Sequence, residues 1–323
     1  MAPTAVIQTK QGIGDCIWHL PFIRAIATAA GEPVTLLSLP STHAQELLRA
    51  EPSVARTLYF ENRGPEWTRG AQLVGLVRTL RGLGCGTLWI LDRSARPAFA
   101  AMVAGIPNRI GLGFGRQRWF ITNPGIDQKF YHAHPLVWLK VLMQTTGVAL
   151  PSTEPNLTLP QDLTAALRTR FADAARPWIV LGLGAAYPPR DWSEEAWREF
   201  IGALRARPGT VFLIGGPRQV ERADRLIAQT TGAPAINACT LSVGESAALL
   251  SLADLFVGPD SGPLNLAAGV GTRAFGLFGM SVVLDYSQHI VPVLPDDGGP
   301  ATPDGMSRIS PQKVLARIAP YLA

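Results

Sequence analysis

The chain has 323 residues, 47% apolar and 16% charged, with a net charge of +5. This composition excludes a disordered chain, and the length suits two packed domains of roughly 150 residues better than one core. The charge is uneven: residues 1–160 hold 15 basic against 9 acidic side chains, a net of +6, whereas residues 161–323 hold 14 against 15.

Along the chain, short β-like runs alternate with helical segments. Residues 5–8 read as a first strand and Gln11-Gly12-Ile13-Gly14-Asp15 as a glycine-bearing turn. Residues 16–30 then read as a helix, with Ile17, Leu20, Ile23, Ala27 and Ala30 roughly on one face and Gly31 just past its end. Asp15 therefore stands at a helix start, where the local reading is a cap. Further strands are expected at 34–38, 57–60, 87–91 and 109–111, with helices at 42–50 and 71–83. Asp92-Arg93-Ser94 falls at the C-terminal end of a strand, where open α/β sheets gather ligands.

Pro151-Ser152-Thr153-Glu154-Pro155-Asn156 reads as a linker. A second βα series follows, with strands at 178–182, 211–214, 235–236, 255–257 and 272–278. Ser193 reads as the cap of a helix running to about 206, and residues 310–322 as a closing helix interrupted near Pro320. The run Gly258-Pro259-Asp260-Ser261-Gly262-Pro263-Leu264-Asn265 joins a strand end, a tight turn and a helix start. Free N–H groups and the helix dipole there suit an anion.

Two such series predict an α/β protein with two Rossmann-like domains. The widely spaced cysteines Cys16, Cys85 and Cys239 form no CxxC pair, which argues against a disulfide or zinc site and for a reducing compartment. No apolar run approaches the roughly 20 residues that span a bilayer. A cytoplasmic protein is expected, at most peripheral to the inner face of the membrane. The basic first half suits an acidic partner such as a phosphorylated glycolipid; no nucleic-acid motif accompanies it.

Two stretches together resemble glycosyltransferase family 9, the ADP-heptose:lipopolysaccharide heptosyltransferases and their relatives. Gly14-Asp15-Cys16-Ile17-Trp18-His19-Leu20-Pro21-Phe22-Ile23-Arg24-Ala25-Ile26 is similar to the family's Gly-Asp turn and the helix after it. The run from Asp260-Ser261-Gly262 to Phe278-Gly279 is similar to its C-terminal hallmark.

The resemblance implies the GT-B architecture, two Rossmann-like domains facing a central cleft. It places an acceptor-side domain at 1–155, a nucleotide-sugar domain at 156–309 and a closing helix at 310–323 packed back on the first. It implies an inverting transferase that needs no metal or cofactor. A heptose-like sugar would pass from a nucleotide-diphosphate donor, ADP-heptose first, to a hydroxyl of a cell-envelope glycolipid.

Asp15 corresponds to the family's catalytic base; at a helix N-terminus it is expected to be ionised and a weakened base. Donor contacts are implied at Gly14, Gly184, Ala185, Ala186, Arg190, Gly216, Pro217, Gln219, Leu241, Asp260, Ser261, Gly262 and Asn265. Acceptor contacts are implied at Arg56, Arg63, Arg69, Arg93, Arg116 and Arg118, although a solvated surface accounts for such arginines equally well. Ala185 and Ala186 stand where the family carries hydroxyls. Asn265 stands where it carries His, and Asn can hydrogen-bond but cannot bear charge. These departures leave open a different donor, a polysaccharide or protein acceptor, or a noncatalytic binding protein.

Overall fold

The computed structural model describes residues 2–61, 68–185, 187–281, 283 and 286–322. The chain forms two compact units, 1–155 and 156–323. Arg63 and Ala186 lie outside the described residues.

The first unit is a five-stranded parallel sheet in the order β3-β2-β1-β4-β5. Its elements are β1 (Thr4–Ile7), α1 (Ile13–Ala30), β2 (Val34–Ser38), α2 (Ala44–Leu47), β3 (Val54–Tyr59), α3 (Arg69–Leu83), β4 (Thr87–Ile90), α4 (Ala95–Ala104), β5 (Asn108–Ile110) and α5 (Pro135–Thr145). Every residue of β1 is buried, as a strand covered on both faces requires. Ile7 is in register with Leu37 on one side and Ile90 on the other, so β1 ends level with β2 and β4. The chain order reverses between β1 and β4, which opens a crevice beyond their C-terminal ends.

Helix α1 begins three residues earlier than its apolar periodicity predicts. Its cap is Gly12, at φ +108°, a conformation only glycine adopts at low cost, with no side-chain bond to the first turn. The helix closes at Gly31, also left-handed, whose N–H bonds the Ala27 and Thr28 carbonyls.

The second unit has a six-stranded parallel sheet, β11-β10-β9-β6-β7-β8. It comprises α6 (Gln161–Arg170), β6 (Trp178–Gly182), α7 (Glu194–Arg205), β7 (Thr210–Ile214), α8 (Val220–Ala228), β8 (Ala235–Asn237), α9 (Val243–Leu252), β9 (Leu255–Pro259), α10 (Gly262–Gly269), β10 (Ala274–Leu277), β11 (Ile290–Val293) and α11 (Pro311–Ile318). Ser193 caps α7 by accepting from the Ala196 N–H. Strand β11 was not legible because Pro292 interrupts it; an edge strand tolerates a missing N–H. Here the crevice lies between β6 and β9.

Helix α11 lies against α7, and its Val314 and Ile318 are fully buried in the second unit's core with Trp197 and Phe200. The physical reason is local: Trp192, Trp197 and Phe200 form an edge-packed aromatic cluster, and the Trp192 indole N–H donates to the Ile309 carbonyl just before α11. Among the described residues no helix is long and apolar enough to cross a membrane.

Candidate functional site

In the first unit the crevice collects groups from three distant parts of the chain. After β4, Asp92 is buried to 2% exposure. Its carboxylate accepts the Thr9 N–H at 2.9 Å and the Ser94 N–H at 2.7 Å, bracing the loops after β1 and β4 against each other. Burial raises its pKa, opposed by these bonds and by the charge of Lys10.

Asp15 is the third residue of α1. Because Gly12 is the cap, the carboxylate is not spent on capping. It accepts the Gln11 backbone N–H and feels Lys10, yet burial dominates and lifts its pKa from 3.8 to about 6. The expected weakening of the base is therefore corrected: desolvation outweighs the helix terminus, while the carboxyl still ionises by neutral pH. A carboxylate so tuned is a stronger proton acceptor near neutral pH.

Lys10 was not singled out from the sequence. Its charge acts on Asp15, Asp92, His19 and His134, so it marks the centre of the site. Its position, directly after a central strand and before the Gly-Asp turn, was the available signal. His134 caps α5, its Nδ1 accepting from the Leu136 N–H.

The structure sorts the predicted acceptor arginines. Arg93 extends from the Asp92 loop over the Tyr131 and Trp138 rings, at 5.3 and 5.7 Å from their centroids. Arg116 and Arg118 are exposed on a tight turn, Gly115–Trp119, whose buried Gln117 donates to the Asp92 and Ser94 carbonyls. Arg93, Arg116 and Arg118 are thus tied to the same loop as the braced carboxylate. Arg69 opens α3, its carbonyl accepting from Arg96 in the first turn of α4, just after that loop. Arg56 lies on the edge strand β3 opposite Thr35, near the N-terminal end of β2, and so does not reach the crevice at the strands' other end.

In the second unit, Gly184 follows β6 at φ +80°, and a Cβ there would fall 2.6 Å from Gln219 Nε2. Gly184 and Gln219 are thereby brought together, with Gly216 and Pro217 in the turn that carries Gln219. Leu241 is buried beyond β8, at the sheet's edge. Beyond β9, Asp260 pairs with Arg190 at 3.3 Å, while Ser261 and Gly262 open α10. Ser261 Oγ is buried and finds no hydrogen-bond partner among the described residues.

The neighbour of Arg190 is firmly held: Asp191 accepts from Arg222 and from the Trp197 indole, fixing the loop from which Arg190 extends. Asn265 donates to the Ser261 carbonyl at 2.8 Å and accepts from the Tyr286 hydroxyl at 3.2 Å. Tyr286, which sequence reading missed, is pushed up in pKa by burial and then by Asp260. A cavity of about 640 Å³ lined by Pro188, Asp191, Glu195 and Met306 includes neither Arg190 nor Asp260, so the switch point rather than that cavity is the candidate site. Among the described residues no three His, Cys, Asp or Glu side chains cluster as a metal site requires.

Each unit thus presents one polar crevice at a sheet switch point, a basic carboxylate in the first and a paired, anion-ready turn in the second. The model of glycosyltransferase family 9 (heptosyltransferase) matches residues 75–286. The chain belongs to that family.

Among curated proteins, it is 27% identical over 192 residues to the lipopolysaccharide core heptosyltransferase OpsX of Haemophilus influenzae. The match takes in 56% of this chain and 54% of that relative, so it spans about half the relative's length. Among solved structures, a family 9 glycosyl transferase from Veillonella parvula has a TM-score of 0.84 at 18% identity, covering 99% and 97% of the two chains. The E. coli ADP-heptose lipopolysaccharide heptosyltransferase II has 0.80 at 18%, covering 99% and 98%. E. coli heptosyltransferase WaaC with ADP-2-deoxy-2-fluoro heptose has 0.73 at 16%, covering 98% and 99%. At these identities the likeness is one of fold, the GT-B architecture. Asp260 to Gly262 lie within the family match, whereas Asp15 precedes it.

Proposed function

We propose that this protein is an inverting glycosyltransferase that moves heptose from ADP-heptose to a hydroxyl of the lipopolysaccharide core. Asp15 takes the proton of the acceptor hydroxyl, whose oxygen attacks the anomeric carbon. The bond from that carbon to the diphosphate breaks, and the sugar is transferred with inversion. Arg190, the Ser261 hydroxyl and the N–H groups at the start of α10 meet the charge that grows on the departing diphosphate. Arg93, Arg116 and Arg118 bind acidic groups of the acceptor, and Lys10 steadies the ionised form of Asp15. The reaction needs no metal in this reading.

The observation that carries the proposal is the state of Asp15: uncapped, half-buried and raised to a pKa of about 6 at a sheet switch point. The donor and acceptor are taken from what the relatives bind: one solved relative holds an ADP-heptose analogue, and OpsX is a lipopolysaccharide core enzyme. The test is incubation with ADP-heptose and a heptose-deficient core acceptor, read by the acceptor's mass, with and without EDTA. Turnover is expected in both, with a loss of 10²–10⁴-fold in Asp15→Asn. Full activity of that variant would sink the assignment.

A second reading has its own observation. Asn265 directs its amide to Ser261 and Tyr286. A family member with a different nucleotide sugar, or one that binds without turnover, fits this arrangement. Thermal shifts with ADP, UDP, GDP, CDP and dTDP separate these cases: about 2.7 kcal/mol of stabilisation is expected at 100 times the dissociation constant of a true ligand.

A further inference from the structure

We infer that Gln8 and His19 are positioning residues for Asp15: the His19 imidazole, one turn after Asp15 on α1, fastens the start of that helix to Gln8 beyond the end of β1. The inference rests on the reading of Asp15 as base. It begins from what α1 lacks: Gly12 has no side chain to clamp the turn that carries Asp15.

A buried chain of hydrogen bonds supplies the clamp, and its proton directions are determined from one end. Thr42 Oγ1 donates to the Leu39 carbonyl at 2.7 Å, so in its contact with Ser38 Oγ, at 2.9 Å, it must accept. Ser38 has then spent its proton, so it accepts from Gln8 Nε2 at 2.8 Å. The Gln8 amide oxygen is thereby turned toward His19, whose Nδ1 must carry the ring's proton and donate it. His19 stands four residues after Asp15, one turn along α1, so this bond holds the turn that carries Asp15.

Gln8, Ser38 and Thr42 are fully buried and His19 is 2% exposed. Such a chain costs desolvation that an apolar set would avoid. What it supplies is one position of the Asp15 turn relative to β1 and β2, and hence to the Thr9–Asp92 brace. Burial, then the Lys10 charge, pushes the His19 pKa down to about 3, so the imidazole stays neutral and keeps the same donor through neutral pH. The charges coupled to this turn are Lys10, which acts on Asp15 and His19 and also on Asp92 and His134, and Asp15 itself, which acts on Cys16.

The experiment compares His19→Asn, whose amide N–H takes the place of Nδ1–H, with the double variant Gln8→Leu/His19→Leu, which removes both partners and so strands neither. Each is read by Tm, by kcat and donor KM, and by titration of the Asp15 carboxyl carbon in NMR, assigned with Asp15→Asn. The asparagine variant should keep kcat within about threefold and the carboxyl midpoint of the native protein. The double variant should keep Tm within a few degrees and donor KM unchanged, lose at least tenfold in kcat and shift the midpoint. A double variant with native kcat and native midpoint would overturn the inference.

If the double variant does not fold, Gln8→Met replaces it: it must move kcat and midpoint where His19→Asn does not, and equal behaviour of the two overturns the idea. Failure of the catalytic reading is seen separately, as native protein without turnover or Asp15→Asn with it. In either case the carboxyl titration still decides whether Gln8 and His19 position Asp15.

Discussion

The two units place their polar groups at the same point of the same kind of sheet, yet they treat charge in opposite ways. Beyond β1 and β4, Asp15 and Asp92 are desolvated and raised in pKa, with Lys10 acting on both. Beyond β6 and β9, Asp260 is paired with Arg190, and the following helix offers its N–H groups. Withholding a direct partner raises the proton affinity of a carboxylate, which suits a base. Pairing a carboxylate holds a guanidinium in place, which suits a site awaiting an anion.

The most severe way to break this contrast is through Asp15. Its carboxyl has a pKa of about 6 folded and an ordinary value near 3.8 unfolded. The stability it contributes is complete below about pH 4 and is lost as pH rises through 6. Asp15→Asn should therefore lose activity 10²–10⁴-fold and yet melt above the native protein at pH 8, the two converging by pH 4. Melting scans at the two pH values check this; a variant less stable at pH 8 would refute the raised pKa. In the native protein, kcat/KM should fall close to tenfold per pH unit below 6, read from rates between pH 4.5 and 8.

Removing the paired cation should be the next largest effect. Arg190→Ala is expected to weaken nucleotide-diphosphate binding by roughly 10- to 100-fold, the value of a charge-assisted hydrogen bond, without moving the acidic limb of the pH profile. Calorimetry of ADP binding together with the rate profile separates the two crevices.

The smallest effects concern the acceptor arginines. Arg93→Ala should raise acceptor KM several-fold, whereas Arg56→Ala, on the far edge strand, should leave it within twofold. Equal effects in steady-state kinetics would show that placement along the sheet does not sort these residues.

Much of the fold was legible in local pattern. Short apolar runs bounded by Gly and Pro marked most strands within a residue or two, and Ser193 and Gly31 marked helix ends, because those signals act over one or two turns. The site was legible only where it is local in sequence. The Gly14-Asp15 and Asp260-Ser261-Gly262 turns and the strand end at Asp92 were visible, while Lys10, Tyr286 and the Asp92–Thr9 brace were not, since they depend on groups on other strands and helices.

By itself the sequence determined the two βα series and the two turns proposed to carry the chemistry, because strand burial, glycine conformation and capping are written in neighbouring residues. Only the tertiary structure decided how those turns behave. It moved the cap from Asp15 to Gly12, and burial then raised the pKa of a carboxyl that a helix terminus alone would lower. It drew His19 into a polar chain with Gln8 and Ser38. It committed α11 to the second unit's aromatic core. Desolvation and hydrogen-bond partnership depend on groups distant in sequence that packing brings together, and no local pattern records them.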